Sequence, residues 1–527
     1  MIDTKSAPEL KEILVVFVTC VFLGLAFGFV IHRNPLIAIS GVAAMLVMLA
    51  IVRWPDVGTW LGIFAVYSNV GVALLKQNAA TMQNGRSGLD QDSRSAVLVL
   101  LALFLSVPLA YHLVVRRAKI VVDRGLVLMA IFLMVLLISS VFARDKGIAL
   151  VQVSDFFLEG IALYFLVINL VRDAVSLRYV LWAVLLAGAS MGTLSIFQEV
   201  TGTINNNYYG LAQRGGVFEV AEADAAEDAD SGTPSVRTRV AGPIGEQNRY
   251  AQILLVLLPL AFVFARWSRG ASRLVMLCMF LAILGGIILT FSRGASVALV
   301  AMLLAMTLLR SVKWYKVAIT CLVGVLLVVV AEPDYVVRLS SLNHVGGLFS
   351  NEESSPDFSI MRRYAENLAC IEAFMTSPII GVGPGHFVAF YSEPYVNQTR
   401  IVRQVKGYRG HSLYFETAAE TGLLGILVFL SIVGCMMLRL WRACRSPALR
   451  DHPEYVDLMK AFLVSIIGYM VSAIFLHLSY PRYFWLLLAL ASASVTVVRS
   501  LAGENTSRTR DYRSNVRYVA DTPWRYS

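Results

Sequence analysis

The sequence predicts an all-α polytopic membrane protein, and three observations carry that prediction. Hydrophobic residues make up 57% of the 527, charged residues only 15%, and the mean hydropathy is +0.68. A soluble domain carries about 25% charged residues, so soluble globular and disordered classes are excluded. Apolar runs of spanning length recur from residue 12 to residue 499. Lipid accepts such runs only as helices, because it cannot satisfy an open backbone. Finally, the six cysteines show neither CxxC nor metal-ligand spacing, which excludes a disulfide scaffold and points to no metal centre.

In chain order, the apolar runs place helices at 12–31, 35–53, 57–76, 95–115, 126–143, 147–171, 177–200, 250–267, 272–291, 293–311, 315–331, 415–440, 459–478 and 481–499. At roughly 20 residues per span this is about 14 transmembrane helices. The first run is expected to stay as a membrane helix, since no small-residue cleavage site follows it. The run 147–171 stands apart because it holds Asp155 and Glu159, an i, i+4 acidic pair. Charge at that depth faces a protein interior or a water cavity. The pair is read either as a cavity wall near a reacting hydroxyl, as partners of a neighbouring arginine, or as the mark of an interfacial helix.

Charge sets the orientation. Forty-five Lys and Arg against 35 Asp and Glu give a net charge of +10. With the N-terminus inside, the short inner links carry 17 basic residues and the short outer links 8. Positive-inside anchoring therefore predicts N-in/C-in and accounts for the excess without nucleic acid. The expected organisation is an N-terminal transmembrane bundle (1–200), an outer loop with an acidic insertion (201–249), central transmembrane helices (250–331), a large outer loop (332–414), C-terminal transmembrane helices (415–499) and a basic cytoplasmic tail (500–527). The insertion, Glu219 to Asp230, has six acids in twelve residues. It lacks the ligand spacing and turn glycine of a calcium loop, so a flexible acidic stretch is expected. No internal repeat is visible.

The two outer loops hold arginine and histidine next to the membrane. Arg237 and Arg239 precede a Gly242-Pro243-Ile-Gly245 turn and Asn248-Arg249. Arg293 sits in Thr290-Phe-Ser-Arg-Gly between two apolar helices. Arg362 and Arg363 open an amphipathic helix running to Phe374, and Gly381-Val-Gly-Pro-Gly385-His386 follows as an ordered turn, with a close approach to ligand one reason for its glycines. Arg409 and His411 lead into Glu416 and Glu420, which stand at i and i+4. A guanidinium is a planar, permanently charged fork suited to phosphate or diphosphate. An interfacial His is a candidate general base. Glu416 and Glu420 could orient it or complement a helix N-terminus. For each residue the alternative is a solvated loop charge or an interfacial anchor.

Together these segments resemble the O-antigen ligase and O-antigen polymerase family of bacterial envelope glycosyltransferases, over about 190–480. The matching features are Arg-x-x-Gly-Pro-x-Gly-x-x-Asn at 239–248, Thr-x-Ser-Arg-Gly at 290–294, Arg363 fifteen residues before Pro378, Gly381-Val-Gly-Pro-Gly, and His411 with Glu416, Glu420, Gly422 and Gly425. Ser412 stands where the family usually has Asn, Phe415 where it often has Leu, and His386 where Asn or another small polar residue is common. The resemblance implies a metal-independent, inverting transfer without cofactor, in the bacterial inner membrane and with the site facing the periplasm. The implied donor is a glycan on undecaprenyl diphosphate; the acceptor is a second repeat unit or lipid A core. Other polysaccharide assembly proteins are further implied partners. By analogy Arg239 and Arg363 would bind the diphosphate and His411 would take the acceptor's proton. Arg293 would shape the site, and Arg237, Arg362, Arg409, Glu416 and Glu420 are the further substrate-binding candidates.

Length and helix count lean this reading towards a polymerase of exopolysaccharide or O-antigen rather than a ligase. The alternative from another class is a lipid-linked oligosaccharide flippase or polysaccharide transporter, which would keep its charges in a mid-membrane cavity and its loops short.

Overall fold

The computed structural model describes residues 54–72, 102, 104–219, 236–312, 315, 358–388, 409–449, 451–478 and 481–511. The helices expected at 12–31, 35–53 and 315–331, and the acidic stretch after Glu219, lie outside the described residues.

The described residues form helices α1 (Pro55–Ser68), α2 (Phe104–Val114), α3 (Arg124–Phe142), α4 (Lys146–Leu170), α5 (Ala174–Val200), α6 (Gln247–Trp267), α7 (Gly270–Ile288), α8 (Arg293–Leu308), α9 (Phe358–Thr376), α10 (Leu413–Cys444), α11 (Pro453–Ser472) and α12 (Arg482–Asp511). Among them eight are long and apolar enough to cross a membrane: α3 to α7 and α10 to α12. The chain is thus mostly helical and an integral membrane protein. Charged or polar N-caps set several starts. Asp123 accepts the Leu126 N–H at 2.8 Å before α3, and Asp173 accepts that of Ser176 at 2.8 Å before α5. The outer helices are apolar all round. Val127, Ile131 and Met134 on α3, and Leu274 and Leu281 on α7, are exposed large apolar side chains, as expected for a lipid-facing surface. The centre belongs to α6 and α12, whose apolar windows are each 83% buried.

Three expectations change. The run 293–311 yields α8, only 16 residues long. The run 459–478 becomes α11 and stops at Ser472, because the carbonyls of Ala473 and Leu476 turn away to accept the Leu413 N–H at 3.0 and 2.9 Å. The all-α reading also misses an antiparallel hairpin, β1 (Gln213–Glu219) with β2 (Val236–Gly242), at the 201–249 loop. Its register pairs Val217 with Thr238 and Arg214 with Val240. A two-stranded ribbon leaves edge groups open, which water outside the bilayer can satisfy.

The connections sort to two ends. At one, Val121 donates to Asn169 at 2.7 Å, Arg172 to the Lys119 carbonyl at 2.8 Å, and Trp267 to Asp457 at 3.1 Å. The Arg439–Asp123 ion pair ties α10 to α3 there. This is the end of the basic links. At the other, the turns 143–145, 243–246, 289–292, 409–412 and 473–478 meet, with the hairpin and α9.

Candidate active site

The second end is organised around a broken helix. Within α10, Gly422 adopts φ 65°, ψ −166°, a conformation open essentially to glycine alone. The break strands carbonyls on one side and N–H groups on the other. The glycine-rich segment after α9 satisfies both. Val382 and Gly383 donate to the carbonyls of Ala419 and Glu420 at 3.0 and 3.1 Å; Leu423 and Leu424 donate to those of Pro378 and Ile379 at 2.8 and 3.2 Å. A Cβ on Gly381 would stand 2.3 Å from the Glu420 carbonyl, and one on Gly422 2.3 Å from that of Ile379. The glycines of the 381–385 turn thus answer a backbone approach within the chain, where a ligand was one sequence-based reason for them. His386 locks the turn to α4: its Nε2 accepts the Asp145 N–H at 2.8 Å and its Nδ1 faces the Pro384 carbonyl at 3.0 Å.

Just before α10 lies His411. Gly410 lets this segment press on α9, since a Cβ there would meet the Cys370 sulfur at 2.6 Å. The buried face of α9 carries Ala365, Ala369, Cys370 and Ala373, and in its midst Glu366, which is fully buried. Its Oε2 lies 3.2 Å from Nε2 of His411. Arg363 precedes Glu366 by three residues, one turn, and is half-buried. Burial raises the pKa of the Cys370 thiol, keeping it a small apolar filler.

Glu416 is engaged elsewhere. Arg409 donates to its Oε1 through Nε at 2.9 Å and through a terminal nitrogen at 2.8 Å. Burial works against the charge on Arg409, but Glu416 and Glu420 outweigh it and raise its pKa. Glu420 takes backbone N–H groups of Gly385 and Phe387. Both carboxylates line a cavity with Gln152, Thr417 and Pro384. The carboxylate that meets His411 is therefore Glu366, which sequence reasoning missed. The available signal was its place one turn after Arg363 on an amphipathic helix.

Arg239 emerges from β2 and is only 4% exposed. Its Nε donates to the Thr290 carbonyl at 2.6 Å and a terminal nitrogen donates to Asn248 Oδ1 at 2.9 Å. The turn it grips ends in Ser292, which caps α8, and Arg293, half-buried, is the first residue of α8. Arg237 on β2 and Arg362 on α9 have side chains outside the described residues. Arg249, at the end of the Arg239–Asn248 motif, is buried. It donates to Gln252 at 2.9 Å and to the His477 carbonyl. The His477 ring lies 6.2 Å from that of His411. Burial, then Arg409, Arg249 and His411, hold the His477 pKa well below its usual value. Contacts therefore run from Arg239 through Asn248-Arg249 and His477 to His411, Glu366 and α9 with Arg363. The Asp155/Glu159 alternatives also narrow. Glu159 is buried, accepts the Arg482 N–H at 3.1 Å and faces its guanidinium at 3.6 Å, as the partner of a neighbouring arginine. Among the described residues, no group of three or more His, Cys, Asp or Glu could hold a metal ion.

Residues 274–430 match the family model described as O-antigen ligase, Wzy_C. No curated protein matches the chain. The matched segment begins in α7, ends within α10, and holds Arg293, Arg363, Glu366, Arg409, His411, Glu416 and Glu420. Arg239 and Arg249 precede it and reach it through Thr290 and His477.

Proposed function

We propose that the protein is an inverting glycosyltransferase that uses a glycan on undecaprenyl diphosphate, at the periplasmic face of a bacterial inner membrane. The acceptor hydroxyl attacks the anomeric carbon from the face opposite the diphosphate. The bond to the phosphate oxygen breaks, its electron pair leaves with the diphosphate, and His411 takes the hydroxyl proton. Arg239 and Arg363 balance the charge growing on the leaving group, as preorganised donors do. Arg237, Arg362 and Arg409 complete the basic surround, Arg293 shapes it, and Glu416 and Glu420 offer acceptors to sugar hydroxyls. A clamped diphosphate leaves readily, so this chemistry needs no metal ion or cofactor among its residues' roles.

The observation that supports this reading best is the imidazole of His411 held against α9, one turn from Arg363, at the end of the bundle where Arg239 also lies. A flippase reading would want its charges at mid-membrane. Length and helix count lean the acceptor towards a second lipid-linked repeat unit, making the protein an O-antigen or exopolysaccharide polymerase.

The test is to incubate purified protein with lipid-linked glycan alone and then with lipid A core added. Chain growth without core is the expected, polymerase result; a product only with core makes the protein a ligase. His411→Ala should abolish both products while the lipid-linked donor persists. Undiminished product from that variant removes His411 from the chemistry.

A further inference from the structure

We propose that α9 is an interfacial helix, and that the face it turns away from α10 (Tyr364, Leu368, Ile371 and Met375, with Ile379 just beyond) docks on the acyl chains of the bilayer. The occupant of this face is a phospholipid surface at the site's end of the molecule.

Sequence patterning assigns residues 332–414 to an aqueous loop, and α9 is not built for one. It has two apolar faces. Ala365, Ala369 and Ala373 are buried on the first. Tyr364, Leu368, Ile371 and Met375 follow the spacing i, i+4, i+7, i+11, which sets them in one stripe on the opposite side. Tyr364 and Ile371 are exposed, Met375 is 71% exposed, and Ile379 after the helix is 64% exposed. Water over such a stripe is unfavourable in proportion to the apolar area. Glu372, also exposed, stands on the flank between the two faces, the arrangement of a helix that lies in the plane of a membrane surface. Tyr364, an apolar ring with a polar tip, suits that layer.

What covers the stripe follows from where it leads. At the break in α10, the N–H groups of Leu423 and Leu424 donate to the carbonyls of Pro378 and Ile379 at 2.8 and 3.2 Å. Leu423 and Leu424 are themselves exposed, so three apolar side chains open outward at one point. From Leu423 to Arg442, α10 rises about 30 Å at 1.5 Å per residue, close to the thickness of a bilayer core. Arg442 is exposed and belongs to the basic end. The break therefore stands at the edge of the hydrocarbon, Leu423 and Leu424 face lipid, and Ile379 meets the same lipid. The stripe of α9 continues that surface. Arg363 and Glu366 ride on the same helix, so the bilayer surface also sets their height.

The test uses the full chain in a background without native cysteines, in donor-free liposomes of phosphatidylethanolamine and phosphatidylglycerol at a high lipid-to-protein ratio. Nitroxide spin labels are placed on Ile371→Cys, Glu372→Cys and Met375→Cys. At Ile371 and Met375 collisions with oxygen, which concentrates among acyl chains, should exceed those with a water-soluble nickel chelate. At Glu372 the order should reverse. Nickel prevailing at all three positions would leave the stripe in water and overturn the proposal. Labels at Ile371 and Met375 shielded from both reagents would place protein over the stripe, a second copy or another segment of this chain, and overturn it equally. Oxygen prevailing at all three would sink the helix into the core and overturn its place at the surface. With no donor present, a prenyl chain cannot supply the lipid signal. The measurement also stands apart from the proposed reaction: an active His411→Ala removes the base and leaves the lipid contact untouched.

Discussion

Arg239 uses two edges of one guanidinium, its Nε on the Thr290 carbonyl and a terminal nitrogen on Asn248. That fork fixes its plane relative to the turn before α8. Lysine presents a single ammonium and cannot meet both acceptors in one geometry. Arg239→Lys and Arg363→Lys are each expected to slow glycan transfer roughly 100-fold, read as donor consumed at matched protein level. Normal output from either variant would take that residue out of the site. The same scale shows a limit of sequence reading. Arg239, Arg363 and His411 were legible because their types suit diphosphate and proton transfer and they sit beside turn residues. Glu366 and Arg249 were not, because nothing in a linear pattern says which loop will cover a helix face. Glu366 became visible only when the 409–412 segment came to rest on α9.

Among the elements, α10 is the one on which the site hangs. An uninterrupted helix would have run on through residues 413–421 and left no turn to receive 378–385. The break at Gly422 creates four open backbone groups, and the glycine-rich segment closes all four. Gly422→Ala places a Cβ against the Ile379 carbonyl and forces a backbone that alanine avoids. The conformation alone costs on the order of 1–3 kcal/mol. The variant should melt at lower temperature in detergent and lose activity, whereas equal melting temperature and activity would refute this account of the break. Sequence patterning delivered α9 almost to its ends and the apolar body of α10. It placed the glycines in a turn but could not name what the turn approaches, since that depends on contacts between segments about 40 residues apart.

For the molecule as a whole, the two ends have different chemistry. The basic short links gather with Asp123, Asp457 and Asn169 at one end, while the hairpin, α9 and the His411 segment gather at the other. The proposal that the candidate site faces outward rests on positive-inside anchoring. In a background without the six native cysteines, Thr376→Cys should react with an impermeant maleimide added to intact cells, and Arg269→Cys only after the membrane is opened. The reverse pattern would invert the molecule and move the chemistry to the cytoplasmic side.

Composition and hydropathy determined, without any coordinates, that this chain lives in a bilayer, roughly where its spans fall and which links are basic. These are local properties, summed along some twenty residues at a time, and lipid converts them directly into helices. Motif spacing pointed to the arginines and the histidine by chemical type. Only the tertiary structure decided that His411 meets Glu366, that Glu416 belongs to Arg409, that Glu159 belongs to Arg482 and that a hairpin carries Arg239. Those pairings join residues far apart in sequence, and burial makes each charge accept whichever partner the packing of helices and loops brings within reach.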